Sequence, residues 1–174
     1  NQRLAGLESR DQSKTFIYAL IYSAGNERLG QVVGGNRAEG KRLREQFLSS
    51  NRPFATLKNR VDQAAKKGYL KGIDGRKILI RHQHAALNTL LQGCGAIAMK
   101  KALVILQDFI DLQDIPAKFV ANIHDEWQLE VPEEHAETIG KLAVRCIEQA
   151  SKELDMRCPL TGEYKIGRNW SETH

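Results

Sequence analysis

The alternation of apolar and polar residues predicts two β-hairpins set among helices. Residues 119–123 (Phe-Val-Ala-Asn-Ile) and 127–131 (Trp-Gln-Leu-Glu-Val) alternate with period two and are rich in β-branched and aromatic side chains. Between them stand His124, Asp125 and Glu126, so the chain is expected to climb one strand, bend on a His and two acids, and descend the next. Residues 69–81 alternate around Asp74-Gly75 and predict a second hairpin. Elsewhere the period is helical. Ser9-Arg10-Asp11-Gln12 reads as a capping box opening a helix from 10 to about 24, with Gly25-Asn26 as its stop. Residues 25–36 predict a short helix and a loop. Gly34-Gly35-Asn36 there is a turn, because it lacks the spacing of a phosphate loop and no strand precedes it. A basic helix follows over 37–48, Pro53 interrupts, and a further helix runs over 54–67. A long, mostly apolar helix is expected from 84 to about 112, ended by Asp114-Ile115-Pro116. Pro132-Glu133-Glu134 opens an amphipathic helix to about 154, and 158–174 reads as short strand and coil around Tyr164, Ile166 and Trp170. The fold class is α+β, with helices and an antiparallel sheet.

Charge adds an asymmetry to this pattern. Residues 1–81 hold 17 Lys and Arg against 7 Asp and Glu, a net +10, and residues 82–174 hold 9 against 14, a net −5. A basic half is suited to a polyanion such as nucleic acid or nucleotide phosphates, an acidic half to cations. Two faces that attract one another would produce the same asymmetry. Hydrophobic residues make up 41%, as in a folded soluble chain. No unbroken run of eighteen apolar residues and no signal-peptide pattern occur, so no membrane partner is expected. Cys94, Cys146 and Cys158 are odd in number, lack metal spacing and read as reduced thiols of a cytoplasmic protein. The first residue is Asn1, which reads as a processed chain or the tail of a longer one.

Three constellations carry candidate chemistry. Arg10, Lys14, Tyr18 and Tyr22 fall at i, i+4, i+8 and i+12, so two cations and two phenols share one stripe, with Phe16, Ile17, Leu20 and Ile21 opposite. Arg10 opposes the dipole at the helix start, whereas a polyphosphate would be at ease there. Farther along, tyrosine rings offer stacking surfaces to a sugar or base. An amphipathic surface helix with half-buried tyrosines would show the same spacing. His84, Asn88 and Gln92 make a polar row on an otherwise apolar helix, either satisfied in a core or facing a groove with polar contents. Amide side chains there can read minor-groove acceptors without demanding one sequence. At the hairpin tip, Asp125 and Glu126 are at ease in water or beside a cation.

In this order, these stretches resemble the C-terminal part of family A DNA polymerases, the DNA polymerase I class, and look closest to its phage replicative branch. Arg10-x3-Lys14-x3-Tyr18-x3-Tyr22 is similar to that family's motif B, and His124-Asp125-Glu126 to its motif C. The stretch from His84 through Asn88 to Gln92 is similar to the helix between them. Gly162-Glu163-x-Lys165-x-Gly167-x-x-Trp170 and the terminal His174 are similar to the family's C-terminus. The resemblance implies helical fingers over residues 1–70 and a partial palm over 71–174. It also implies roles. Arg10 and Lys14 would grip the phosphates of an incoming dNTP, Tyr18 would pack on its sugar, and Tyr22 would stand where the templating base turns in. Asp125 would bind a pair of Mg²⁺ ions, with Glu126 in support and Lys14 assisting catalysis. His84, Asn88, Gln92 and His124 would contact primer–template DNA.

Three departures stand out, the last of them the largest. Ser23 occupies a position usually held by Gly, and His84 stands where many members have Arg. The family's second metal-binding Asp, in motif A, has no counterpart, since Glu8 is too close to the first helix. The expectation is a C-terminal segment of a replicative polymerase in the cytoplasm of a phage-infected host. It would be inactive alone, prone to form a homodimer, and dependent on the missing N-terminal part. The alternative is a non-enzymatic nucleic-acid-binding remnant, against which the joint presence of Arg10, Lys14, Tyr18 and Asp125 argues.

Overall fold

A computed structural model describes residue 7 and residues 9–173. Glu8 and His174, both named above, lie outside them. By contacts the chain divides into two compact units, residues 1–92 and 93–174, each with its own core.

In the first unit, α1 (Arg10–Ile21) starts under Ser9, whose hydroxyl accepts from the Gln12 amide at 3.1 Å. It ends earlier than the sequence predicts. Ser23 takes a φ of 61°, a left-handed conformation that stops a helix. Gly25, predicted as part of the stop, instead caps α2 (Asn26–Gln31). Asn36 caps α3 (Arg37–Ser50), accepting from the Ala38 and Glu39 amides at 2.9 and 3.1 Å. α4 (Arg52–Ala65) starts ahead of Pro53, not after it, because a first-turn proline has no amide to lose.

The core of this unit is Phe16, Leu20, Leu29, Leu43 and Phe47. The Phe47 ring meets Phe16 and Phe54 edge-on, with centroids 6.1 and 5.6 Å apart. A Cβ on Gly40 would stand 1.8 Å from the Asn26 carbonyl oxygen, so α2 and α3 approach this closely only because residue 40 has no side chain. The first hairpin forms as predicted, β1 (Tyr69–Lys71) antiparallel to β2 (Lys77–Leu79). Leu70 carries it onto Val61, Ala65, Ala86 and Leu87.

The long helix differs from expectation at its start. Residues Gln83–Ala85 form a 3₁₀ turn, and α5 (Ala86–Leu112) follows. His84 is therefore out of helical phase, and only Asn88 and Gln92 share an α-helical stripe. The stretch Gln83–Leu112 is long and apolar enough to cross a membrane by length and composition. Counting unbroken apolar runs passes over it, because single polar residues such as Gln92 interrupt the run.

In the second unit, β3 (Lys118–Ile123) and β4 (Glu126–Glu130) pair antiparallel, with Ile123 opposite Glu126. The predicted three-residue bend is thus a two-residue loop, His124-Asp125, and Glu126 is the first residue of β4. A register irregularity between Phe119 and Ala121 leaves Val120 66% exposed. Behind the hairpin, α6 (Glu133–Glu153) buries Ile139 and Cys146 against Leu106 and Ile110, with Phe119 and Trp127 packed on them. The strand predicted after 158 does not form among the described residues. That segment bonds to side chains of α6 instead: the Leu160 amide donates to Ser151 Oγ at 3.1 Å and Tyr164 Oη to Glu137 at 2.7 Å. A chain bonded to a helix this way has no strand neighbour with which to build a ladder. It ends in α7 (Trp170–Thr173).

Candidate nucleotide and nucleic-acid site

The α1 stripe forms as its spacing demands. Phe16 and Leu20 are buried, with Ile17 and Ile21 partly so, while Arg10 and Lys14 are exposed and Tyr18 and Tyr22 are 53% and 54% exposed. Neither Arg10 nor Lys14 makes an ion pair among the described residues. Two exposed cations one turn apart, with no ion-pair partner among the described residues, favour a polyanion.

In the same unit the end of α1 meets the start of α5. Gln92 Nε2 donates to the Tyr22 phenol oxygen at 3.0 Å, and Ser23 Oγ donates to the His84 carbonyl oxygen. The structure therefore brings together Tyr22, to which the resemblance gives a nucleotide role, and His84 and Gln92, to which it gives DNA roles. Asn88, between His84 and Gln92 in sequence, is half-buried, with an Oδ1 that has no partner among the described residues. His84 stacks its ring on His82, centroids 5.6 Å apart.

The acidic tip lies in the second unit. His124 has a φ of 54°, which a histidine adopts at a cost of about 1–3 kcal/mol, and such outliers cluster at functional sites. His124 and Asp125 are exposed, and Glu126 is half-buried. Gln128 donates to the Glu126 carboxylate from two residues along β4, and the Thr173 hydroxyl donates to Gln128 Oε1 at 3.3 Å. The indole nitrogen of Trp127, behind this strand, is buried without a partner among the described residues.

Asp125 and Glu126 offer hard carboxylate oxygens suited to Mg²⁺. Among the described residues no three His, Cys, Asp or Glu side chains gather closely enough to hold an ion. These two acids thus fit part of a ligand set, not the whole of one.

Reading by motif missed three residues. Arg44 donates to the Ala24 carbonyl at the end of α1, which only the packing of α3 on α1 reveals. Gln128 was legible, since residues 126 and 128 share one face of a strand by period two. Thr173 was not, because the contact depends on how the C-terminal segment returns.

The sequence profile of DNA polymerase family A matches residues 4–172. The chain belongs to DNA polymerase family A. It is 42% identical over 181 residues to the DNA-directed DNA polymerase of Escherichia phage Phieco32, covering all of this chain and 30% of that polymerase. The DNA-directed DNA polymerase of Escherichia phage T7 is 34% identical over 196 residues, again with all of this chain and 28% of the relative covered. DNA polymerase I of Bacillus caldotenax is 29% identical over 177 residues, 92% of this chain and 20% of that protein. This family A chain thus spans less than a third of the length of these curated relatives. Among solved structures, the POL domain of Pol1 from M. smegmatis, in complex with DNA primer-template and dNTP, superposes with a TM-score of 0.75 at 22% identity. That match covers 86% of this chain and 30% of the other, and it supports the fold assignment.

Proposed function

We propose that this chain supplies the fingers (residues 1–70) and part of the palm (71–174) for template-directed DNA synthesis. The observation that carries this reading is the α1 face, where Arg10, Lys14, Tyr18 and Tyr22 are exposed together over a packed core. Arg10 and Lys14 bind the dNTP triphosphate and offset its charge as the leaving pyrophosphate separates. Tyr18 packs on the sugar, and Tyr22 meets the templating base. Asn88 and Gln92 donate to minor-groove acceptors, with His84 and His124 beside the DNA strands.

Asp125 holds Mg²⁺, with Glu126 beside it. A bound pair of such ions lowers the pKa of the primer 3′-hydroxyl and neutralises the phosphates. These acids do not complete the ligand set, and the relatives are more than three times as long, so the remaining oxygen ligands come from polymerase residues outside this sequence. The same residues cover the exposed apolar side chains Val104, Leu112 and Val120, which otherwise drive the chain to pair with itself. On this reading the apolar α5 faces protein, not lipid, and the enzyme works in the cytoplasm of a phage-infected bacterium.

The test is primer extension with Mg²⁺ and dNTPs, using this chain alone and then with an upstream family A segment that carries motif A. Expected is salt-sensitive DNA binding by the chain alone, and extension only with the added segment, lost in Asp125→Ala. DNA binding with no extension under either condition would favour a binding remnant. Extension by the chain alone would overturn the dependence on other residues.

A further inference from the structure

Three successive residues at the end of α1 are each held by a bond from a distant part of the first unit. Gln92 donates to the Tyr22 phenol oxygen, Ser23 donates to the His84 carbonyl, and Arg44 donates to the Ala24 carbonyl. The partners lie 70, 61 and 20 positions away, so none of these bonds is local helix chemistry. The middle one has the least ordinary setting. Ser23 sits at a φ of 61°, where glycine would rest without strain, yet the residue present carries a hydroxyl, and that hydroxyl is used.

We propose that Ser23 is a positioning residue whose hydroxyl, bonded to the His84 carbonyl, fixes the end of α1 on residues 84–92 and so sets how the Tyr22 ring meets the template strand. This rests on the fingers reading given above. The physical case is one of orientation. The Tyr22–Gln92 bond joins two exposed groups and holds the ring at a single point. A bond at one exposed point leaves a ring free to swing and contributes little alone. Arg44 reaches the Ala24 carbonyl from a half-buried site, where water competes less for the bond. It therefore anchors the far side of the bend. Ser23 lies between the two and ties the backbone beside Tyr22 to backbone at His84, which does not depend on a flexible side chain at the accepting end.

If this is its role, only DNA with an unpaired template base beyond the primer end senses the hydroxyl. The test measures fluorescence anisotropy of the 174-residue chain with a labelled primer–template bearing a template overhang, and with the matching blunt duplex, at fixed salt. Ser23→Ala removes the hydroxyl and keeps the backbone strain; Ser23→Gly removes both. Both variants are expected to bind the overhang DNA about 3- to 10-fold more weakly, the scale of one hydrogen bond, and the blunt duplex unchanged. Ser23→Gly should do so with an unchanged or higher melting temperature, which separates positioning from stability. Equal loss on both DNAs, or no loss in Ser23→Gly, overturns the inference while leaving the fingers reading intact. No salt-sensitive binding of either DNA by the unaltered chain overturns the fingers reading, and this inference with it.

Discussion

The side-chain amide of Gln128 donates to the Glu126 carboxylate on the same face of β4, and Thr173 donates to Gln128 in turn. The C-terminal helix thus reaches the acid beside Asp125 through one amide. In an assembled polymerase, Gln128→Leu is expected to lower kcat by about 10-fold, the lower end for losing a hydrogen bond that orients a group beside a metal site, with little change in the KM for dNTP. Thr173→Val should act in the same direction with a smaller effect. Steady-state primer-extension kinetics check both.

Tyr164 lies against α6 where that helix has no side chain. A Cβ at Gly140 would stand 2.3 Å from Tyr164 Cδ2, closer than the ring can accommodate without moving. The ring is tied by its hydroxyl to Glu137. Gly140→Ala gains helix propensity but forces the ring out, and a net loss of about 1–3 kcal/mol is expected, as for overpacking. Denaturant melts of the chain measure it, and an unchanged midpoint would show that Tyr164 relocates freely.

The three thiols should differ in reactivity. Cys158 is exposed, Cys94 half-buried, and Cys146 only 1% exposed, with burial pushing its pKa up to about 11. The thiolate is the reacting form, so Cys146 is doubly protected. A chromogenic disulfide reagent at pH 8 is expected to modify Cys158 first, Cys94 more slowly, and Cys146 only after unfolding.

Acid and alkali should each weaken the fold through identifiable groups. Lys101 holds the Glu153 carboxyl below its usual 4.5, with help from Gln149, and Tyr164 and Lys141 do the same for Glu137. A carboxyl depressed in the fold contributes stability above its unfolded value, and that stability is lost as pH falls through the folded one. The melting temperature should hold down to about pH 5 and fall below 4.5, less steeply in Lys101→Met. At the other end, Cys146 ionises more readily unfolded than folded, from an ordinary 9.0 to about 11. Its contribution is complete below pH 9 and lost as pH rises through that window, a loss absent in Cys146→Ala.

Much of the candidate site was legible because it depends on local geometry. The stripe on α1 follows from helical period alone, and Phe16 and Leu20 are buried where that period puts them. The acidic hairpin follows from period-two runs on either side of it. Both patterns are written within a dozen or so residues, and no distant contact is needed to read them.

Where the elements end was another matter. The left-handed Ser23 stops α1 short, the 3₁₀ turn takes His84 out of helical phase, and Glu126 joins β4 instead of the bend. Each boundary involves backbone groups that have more than one possible partner, and the choice is made by whatever lies nearby in the folded chain. The sequence by itself determined which side chains share a face: Arg10 with Lys14, Tyr18 and Tyr22, and Glu126 with Gln128. Only the tertiary structure decided that Tyr22 meets Gln92, that Ser23 meets His84, and that Thr173 meets Gln128. Those bonds span 70, 61 and 45 positions, and at such separations nothing in residue spacing specifies which polar groups meet. Packing of the cores does.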